Sequence, residues 1–273
     1  MDRKAMIVAG AVCIASIGLA RADEVMDWNA LASSSLPAAA PAVQLRVMAA
    51  MHVAMHDAIN SIEPRYRPYG FSIPVDMRAS KDAAAASAAH DVLAAMLPAR
   101  KPAFDAALAR SLSGIADGRA KRDGIGAGKA VAEAVIAWRA KDGYAERAVT
   151  PFVMTSSAQF SAAGCPALAG GREVAAWNAA ARTASLARGL ALHDNARLFA
   201  LMTMAEADAS LAGPSERCAV SGAAEKVMRL FFGSDGFRLD YVRSAMARSA
   251  DEPSIMLGRK IGAYAVANYL EPR

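Results

Sequence analysis

Aromatic residues are scarce in this chain. They make up 6% of its 273 residues, whereas hydrophobic residues as a whole make up 55%. Because strands favour aromatic and β-branched side chains, this scarcity argues against a β-sandwich or a β-barrel. Alanine, the strongest helix former, dominates instead. The hydrophobic fraction is too high for a disordered chain. The composition therefore predicts a folded, all-α protein.

A large excess of charge of one sign is also missing. The chain has 31 Lys and Arg residues against 26 Asp and Glu residues, a net charge of +5. Without Asp2, Arg3, Lys4 and Arg21, which lie in the leader predicted below, the balance is 28 to 25, or +3. This modest charge does not support binding to nucleic acid.

The amino-terminal segment has the pattern of a secretory signal peptide. Arg3 and Lys4 precede an apolar run over residues 5–20, and Ala20-Arg21-Ala22 supplies small residues at the two positions that signal peptidase recognises. We therefore expect a signal peptide at 1–22 and a mature chain at 23–273 that is periplasmic or secreted. An uncleaved anchor is the alternative, although the run is short for a membrane span. No later stretch is apolar enough to cross a bilayer.

Cysteine is rare as well. Of the three cysteines, Cys13 lies in the predicted leader, which leaves Cys165 and Cys218. An oxidising compartment allows these two to form one disulfide. Two unpaired thiols are the alternative.

Helical periodicity recurs along the mature chain. In the clearest segment, apolar residues and a histidine step by three and four from Leu45 to Ile62, which is one face of a helix. The glycines between 124 and 128 follow no predicted strand, so they indicate close helix packing and not a dinucleotide-binding loop. We predict a single-domain bundle of about eight helices, at 39–62, 80–97, 102–115, 119–141, 172–188, 194–211, 216–232 and from 253 onwards.

The four histidines suggest one metal-binding hypothesis. His52 and His56 are spaced to share a helix face, and such a pair can hold a metal. No third ligand is evident in the sequence, and His52 falls on the apolar stripe. A core histidine bonded to a neighbour is therefore the preferred interpretation, with a metal site as the alternative. His90 and His193 are expected to be surface or capping residues.

Ser215 is the strongest candidate for an anion-binding residue. Pro214 and Ser215 precede a predicted helix, where Ser215 would be the N-cap next to free backbone N–H groups. A purely structural cap is the simpler interpretation. The chain has neither a glycine-rich phosphate loop nor a G-x-S-x-G nucleophile elbow.

Several stretches in order resemble bacterial secreted proteins of the vanadium-dependent haloperoxidase and type 2 phosphatidic acid phosphatase superfamily. They cover most of the mature chain: DWNALA (27–32), AAMHVAMHDAINSIEPRYRPY (49–69), AAAASAAHDVLAAMLP (83–98), WNAAARTAS (177–185), RGLALHDNARLFALMTMAEADA (188–209), SGAA (221–224) and LGRKIGAYAVANYL (257–270). The resemblance implies a helical bundle that holds phosphate or vanadate in a basic pocket. That pocket has three motif blocks: a Lys with Arg-Pro, then Pro-Ser-Gly-His, then an Arg followed six residues later by a His.

This sequence departs from all three blocks that the resemblance implies. The Lys and Arg-Pro block is missing after Ala212, and Pro-Ser-Gly-His has become Pro-Ser-Glu-Arg, with Ser215 retained and Arg217 at the histidine position. In the third block, Asp240 replaces the arginine and Met246 the histidine. Stretches near 143–150 and 170–176 are also shortened relative to the superfamily that the sequence resembles.

These departures remove the cations that hold a multiply charged oxyanion. Glu216 adds a carboxylate beside it, which repels an anion about 4 Å away by about 4 kcal/mol. We therefore expect an exported protein that has lost catalysis, needs no cofactor and retains a ligand- or partner-binding role. The alternative is residual phosphatase or vanadium-dependent haloperoxidase activity, with vanadate as cofactor, through Ser215, Arg217 and basic residues such as Arg243 or Arg248. The partner stays unknown, and a homodimer is compatible with the sequence.

Overall fold

A computed structural model describes residues 22–36, 40–143, 150–153, 172–211, 216–233 and 252–273. Within these ranges the chain forms nine α-helices and one short 3-10 turn, Pro98–Arg100, with a single isolated bridge between Tyr66 and Pro272 in place of a sheet. The helices are α1 Glu24–Ser35, α2 Pro41–Ile62, α3 Lys81–Met96, α4 Lys101–Ser113, α5 Arg119–Arg139, α6 Arg172–Arg188, α7 Leu192–Ala209, α8 Glu216–Phe232 and α9 Glu252–Asn268. The all-α prediction is confirmed.

Helix α2 lies at the centre of the bundle. It packs against α3, α5 and α7, and it is buried along most of its length. Its amphipathic stripe predicted one buried face, but alanines on the other faces are small enough to let neighbouring helices cover them as well. Burial of α2 on several sides is what places polar residues of this helix inside the core.

Two helix pairs approach closely at glycines. A Cβ atom at Gly128 of α5 would clash with the backbone of α3 at Ala84, and a Cβ atom at Gly258 of α9 would clash with the backbone of α8 at Ala219. The close packing predicted for residues 124–128 is therefore confirmed.

One helix was not predicted. Residues of α1, EVMDWNALASSS, show weak amphipathicity, so the periodicity that reveals the other helices does not reveal this one. Its start is nevertheless encoded locally, because the side chain of Asp23 caps the helix by accepting a hydrogen bond from the backbone N–H of Met26 at 3.1 Å. The other eight helices lie within a few residues of the predicted segments.

None of the helices in the described ranges combines the length and the hydropathy that a bilayer crossing requires.

Candidate functional site

The described part of the chain shows the surroundings of the sequence-predicted anion site, and not the site itself. Ser215 lies outside the described residues, as do the segments that contain Asp240, Arg243, Met246 and Arg248. The residue at the histidine position, 217, is described only as part of the backbone of α8.

The connection between α7 and α8 is short. Helix α7 ends at Ala209 and α8 begins at Glu216, so six residues join them. The resemblance places a Lys and Arg-Pro block between these two helices. Three of the six residues are Gly-Pro-Ser, and the other three, Ser-Leu-Ala, contain neither Lys nor Arg. The connection therefore has no room for that block.

Two arginines lie beside the carboxyl end of α7, but both are paired. Nε of Arg46 and a terminal nitrogen of Arg139 each lie 2.7 Å from Oδ2 of Asp142. Together with Asp208, the two arginines line a cavity of about 30 Å³. This volume accommodates one or two water molecules. This cavity is therefore too small for a tetrahedral oxyanion such as vanadate.

Asp208 instead anchors the segment 150–153. Its two carboxylate oxygens accept hydrogen bonds from the backbone N–H groups of Phe152, at 2.6 Å, and Val153, at 2.7 Å. The Tyr69 hydroxyl donates to the carbonyl of Phe152 at 2.7 Å, and a terminal guanidinium nitrogen of Arg139 donates to that of Thr150 at 3.1 Å. These contacts give Asp208 a structural role.

A second polar cluster, the central polar network, occupies the bundle interior. It comprises Asn29 of α1, His52 of α2, and Asn178 and Arg182 of α6. The side-chain amide of Asn29 donates to Nε2 of His52 at 2.9 Å and to Oδ1 of Asn178 at 2.6 Å, and its oxygen accepts from Arg182. The His52 ring stacks on that of Phe199, with 5.2 Å between ring centroids.

The network fixes the protonation of His52. A guanidinium is only a donor, so the oxygen of Asn29 must face Arg182 and its NH₂ group must face the imidazole. Nε2 of His52 is then an acceptor, which assigns the ring proton to Nδ1. Burial and, to a lesser degree, the nearby Arg182 charge together lower the pKa of His52 from 6.5 to about 3. His52 is therefore a neutral core histidine, as preferred from the sequence.

His56 and Asp57 form a separate cluster that holds a loop. Nδ1 of His56 lies 2.8 Å from the Asp57 carboxylate. The same carboxylate accepts backbone hydrogen bonds from three successive residues, Tyr69 at 2.8 Å, Gly70 at 3.0 Å and Phe71 at 2.8 Å. This buried carboxylate is thus saturated with donors, and it ties the loop after α2 to the helix.

The structure gives His52 and His56 different partners and does not support a metal site at this pair. Among the described residues, no group of three or more His, Cys, Asp or Glu side chains is arranged to hold a metal ion.

The remaining two histidines are buried, so the expectation of a surface position was wrong. The capping expectation holds for His193, because Glu63, whose carbonyl oxygen it contacts, is the C-cap residue of α2. His193 lies inside α7, is 3% exposed, and its Nε2 lies 3.2 Å from the carbonyl oxygen of Glu63. His90 is 8% exposed and lies between Asp91 and Asp105, at 2.6 and 2.7 Å. These two carboxylates raise its pKa, against the opposing effect of burial. The local sequence pattern could not predict this burial, because the histidines contact residues distant in sequence, such as Glu63 and Asp105.

Glu206 of α7 is the most unusual buried group. Its side chain is fully buried, and among the described residues neither carboxylate oxygen has a hydrogen-bond partner. Burial raises its pKa well above 4.5. Glu206 and Asp208 lie within an otherwise apolar stretch of the sequence. Their position there was the sequence feature that could have predicted two buried carboxyl groups. Asp208 has donors that stabilise its charge, whereas Glu206 has none in the part of the chain that the structure describes.

Cys218 is disulfide-bonded. Its partner lies outside the described residues. The disulfide prediction is therefore confirmed for Cys218, and its pairing with Cys165 stays a prediction.

These observations can be compared with known proteins. No protein-family model and no curated protein sequence matches the chain. Among solved structures, the chain is similar to the crystal structure of the first bacterial vanadium-dependent iodoperoxidase, with a TM-score of 0.73 and 15% sequence identity. The match covers 91% of this chain and 97% of that chain. This chain has a vanadium haloperoxidase-like fold. The resemblance predicted from the sequence is thus confirmed at the level of the fold.

Proposed function

We propose that this chain is an exported, non-catalytic protein with a haloperoxidase-like fold that serves in binding and not in turnover. The observation that carries this proposal is the six-residue connection between Ala209 and Glu216. An oxyanion needs several cationic donors, and this connection has no room for the block that would bring two of them. The arginines beside it are already paired with Asp142.

Export is supported by the contacts of the residue that follows the predicted cleavage site. Asp23, the first residue after the predicted cleavage site, is the N-cap of α1, and its carboxylate accepts a hydrogen bond from Asn195 of α7 at 2.8 Å. The residue that would become the new amino terminus is therefore built into the bundle. Cell fractionation followed by amino-terminal sequencing tests this proposal. We expect a periplasmic or secreted chain that begins at Asp23, and a full-length chain retained with the membranes would contradict it.

The loss of catalysis is tested by activity assays with and without added vanadate. The purified protein is assayed for peroxide-dependent oxidation of iodide and bromide and for hydrolysis of a phosphate monoester. We expect no vanadate-dependent turnover, and no difference between the natural chain, Ser215→Ala and the control Ser34→Ala, which alters an exposed serine of α1. Vanadate-dependent turnover that Ser215→Ala abolishes and Ser34→Ala preserves would establish the enzymatic alternative instead.

A further inference from the structure

A cavity of about 380 Å³ opens between α1 and α4. Glu24, Asp27, Trp28 and Leu31 of α1 line one side, and Arg110 and Ser111 of α4 lie on the other. Its volume lies within the range of about 300–1,000 Å³ that is typical of small-molecule sites. None of these residues belongs to the central polar network.

The Glu24 carboxylate is held in one orientation by both helices. Its Oε2 accepts a hydrogen bond from the indole N–H of Trp28 at 3.1 Å and another from the Ser111 hydroxyl at 2.7 Å. In the described part of the chain, Oε1 of Glu24 has no partner. This oxygen is accessible to solvent. The result is a half-buried carboxylate with one fixed oxygen and one accessible oxygen.

The charge around Glu24 is not compensated. Burial raises the pKa of Glu24, and the neighbouring carboxylates of Asp27 and Asp82 raise it further. Within the described ranges neither Glu24 nor Asp27 forms an ion pair, and Arg110 does not come within salt-bridge distance of them. Acidic residues in the first turn stabilise a helix, which accounts for their presence in α1. Helix stabilisation does not explain why Ser111 of α4 holds the Glu24 carboxylate in position beside a cavity.

We infer that this cavity binds a small organic ammonium ion, with the N–H groups of the ligand donating to Oε1 of Glu24. A primary ammonium group supplies both the positive charge and the donor that this oxygen lacks. Asp27 adds a second negative charge at the entrance. Leu31 and Ala107 give an apolar wall for a short alkyl chain. The site does not depend on whether the chain is catalytic, and its test involves no vanadate.

The inference is tested by calorimetric titration of the purified protein with three probes of equal chain length: butylammonium, butyrate and 1-butanol. We expect saturable binding of butylammonium alone, at one site per chain. The affinity should fall as salt is added, because the half-exposed charges are screened. Binding of butyrate or 1-butanol as tight as that of butylammonium would overturn the inference, as would the absence of saturable butylammonium binding.

Substitutions then place the ligand in this cavity. Glu24→Gln keeps an oxygen that can accept from Trp28 and Ser111, but it removes the charge, so we expect butylammonium affinity to fall at least about tenfold. Asp27→Asn alters an exposed residue that is safe for folding, and we expect a smaller loss of about threefold. Glu133→Gln, an exposed position on α5, is the matched control and should bind as the natural chain does. Equal affinities in Glu24→Gln, Asp27→Asn and the control would refute the site.

Discussion

The backbone N–H of Phe71 donates to the Asp57 carboxylate at 2.8 Å, across fourteen positions of the sequence. This bond is the last of three successive backbone contacts that fix the loop after α2 onto that helix. The loop in turn receives the carboxyl terminus, because the N–H of Arg273 donates to the carbonyl of Arg65 at 3.0 Å. Asp57 thus supports a junction between the centre of the bundle and the end of the chain.

Replacing Asp57 with asparagine should therefore destabilise the protein strongly. An amide has one acceptor oxygen in place of two, and its NH₂ group would face backbone donors. We expect a loss of about 3 kcal/mol in the free energy of unfolding, measured by urea denaturation. Hydrogen exchange should show faster exchange at residues 69–71.

Asp117→Asn is the control for this prediction, because Asp117 is 97% exposed. It should change the free energy of unfolding by no more than about 0.5 kcal/mol. Equal effects of the two substitutions would show that Asp57 does not hold the loop.

His52 should make stability depend on pH in the acid range. Its pKa is lowered from 6.5 to about 3 in the folded protein, so the unfolded chain takes up a proton that the folded chain does not. Stability from this group is present above pH 6.5 and is lost as the pH falls towards 3. The contribution is at most about 1.4 kcal/mol per pH unit.

Urea denaturation at several pH values between 4 and 7 measures this dependence, and His52→Gln should flatten it. A second measurement needs no variant: the ring nitrogen shifts in the NMR spectrum of the natural chain should report a neutral His52 protonated at Nδ1 down to pH 5. An imidazolium signal at that pH would contradict the assignment drawn from Asn29 and Arg182.

Glu206 should be a site where substitution stabilises the protein. Its folded pKa lies well above 4.5, so the folded chain retains a proton that the unfolded chain releases as the pH rises. Stability is therefore greatest below about pH 4.5 and is reduced at pH 7. Glu206→Met removes the unpartnered carboxyl from the core, and we expect a gain of about 2 kcal/mol at pH 7 and a smaller gain at pH 4.

Glu225→Met is the informative counterpart. Glu225 is also fully buried, but its carboxylate lies 2.6 Å from a guanidinium nitrogen of Arg259. This substitution should destabilise the protein by about 3 kcal/mol because it leaves the arginine without its carboxylate. A loss of stability in both variants would show that Glu206 has a stabilising role that its surroundings do not reveal.

Periodicity and resemblance together predicted the bundle, because the spacing of apolar residues in an amphipathic helix indicates which face is buried. Helix α1 was not predicted, because polar residues such as Asn29 and Glu24, which bond to residues of other helices, interrupt its apolar pattern. The polar contacts were not predicted either, because their partners are distant in sequence. The spacing of His52 and His56 suggested a shared ligand, yet the actual partner of His52 is Asn29, which lies on another helix. Only the assembled fold brings such pairs together.

The close contact between α3 and α5 gives the last prediction. A Cβ at Gly128 would clash with the backbone at Ala84, whereas a Cβ at Gly126, on the same helix, meets nothing within 4 Å. Gly126→Ala should stabilise the protein by about 0.5–1 kcal/mol, because alanine loses less entropy than glycine in a helix. Gly128→Ala carries the same gain, but it forces the helices apart, and we expect a net loss of about 2 kcal/mol. Thermal denaturation of the two variants separates packing from propensity: equal shifts in their melting temperatures would mean that α3 and α5 do not touch at this glycine.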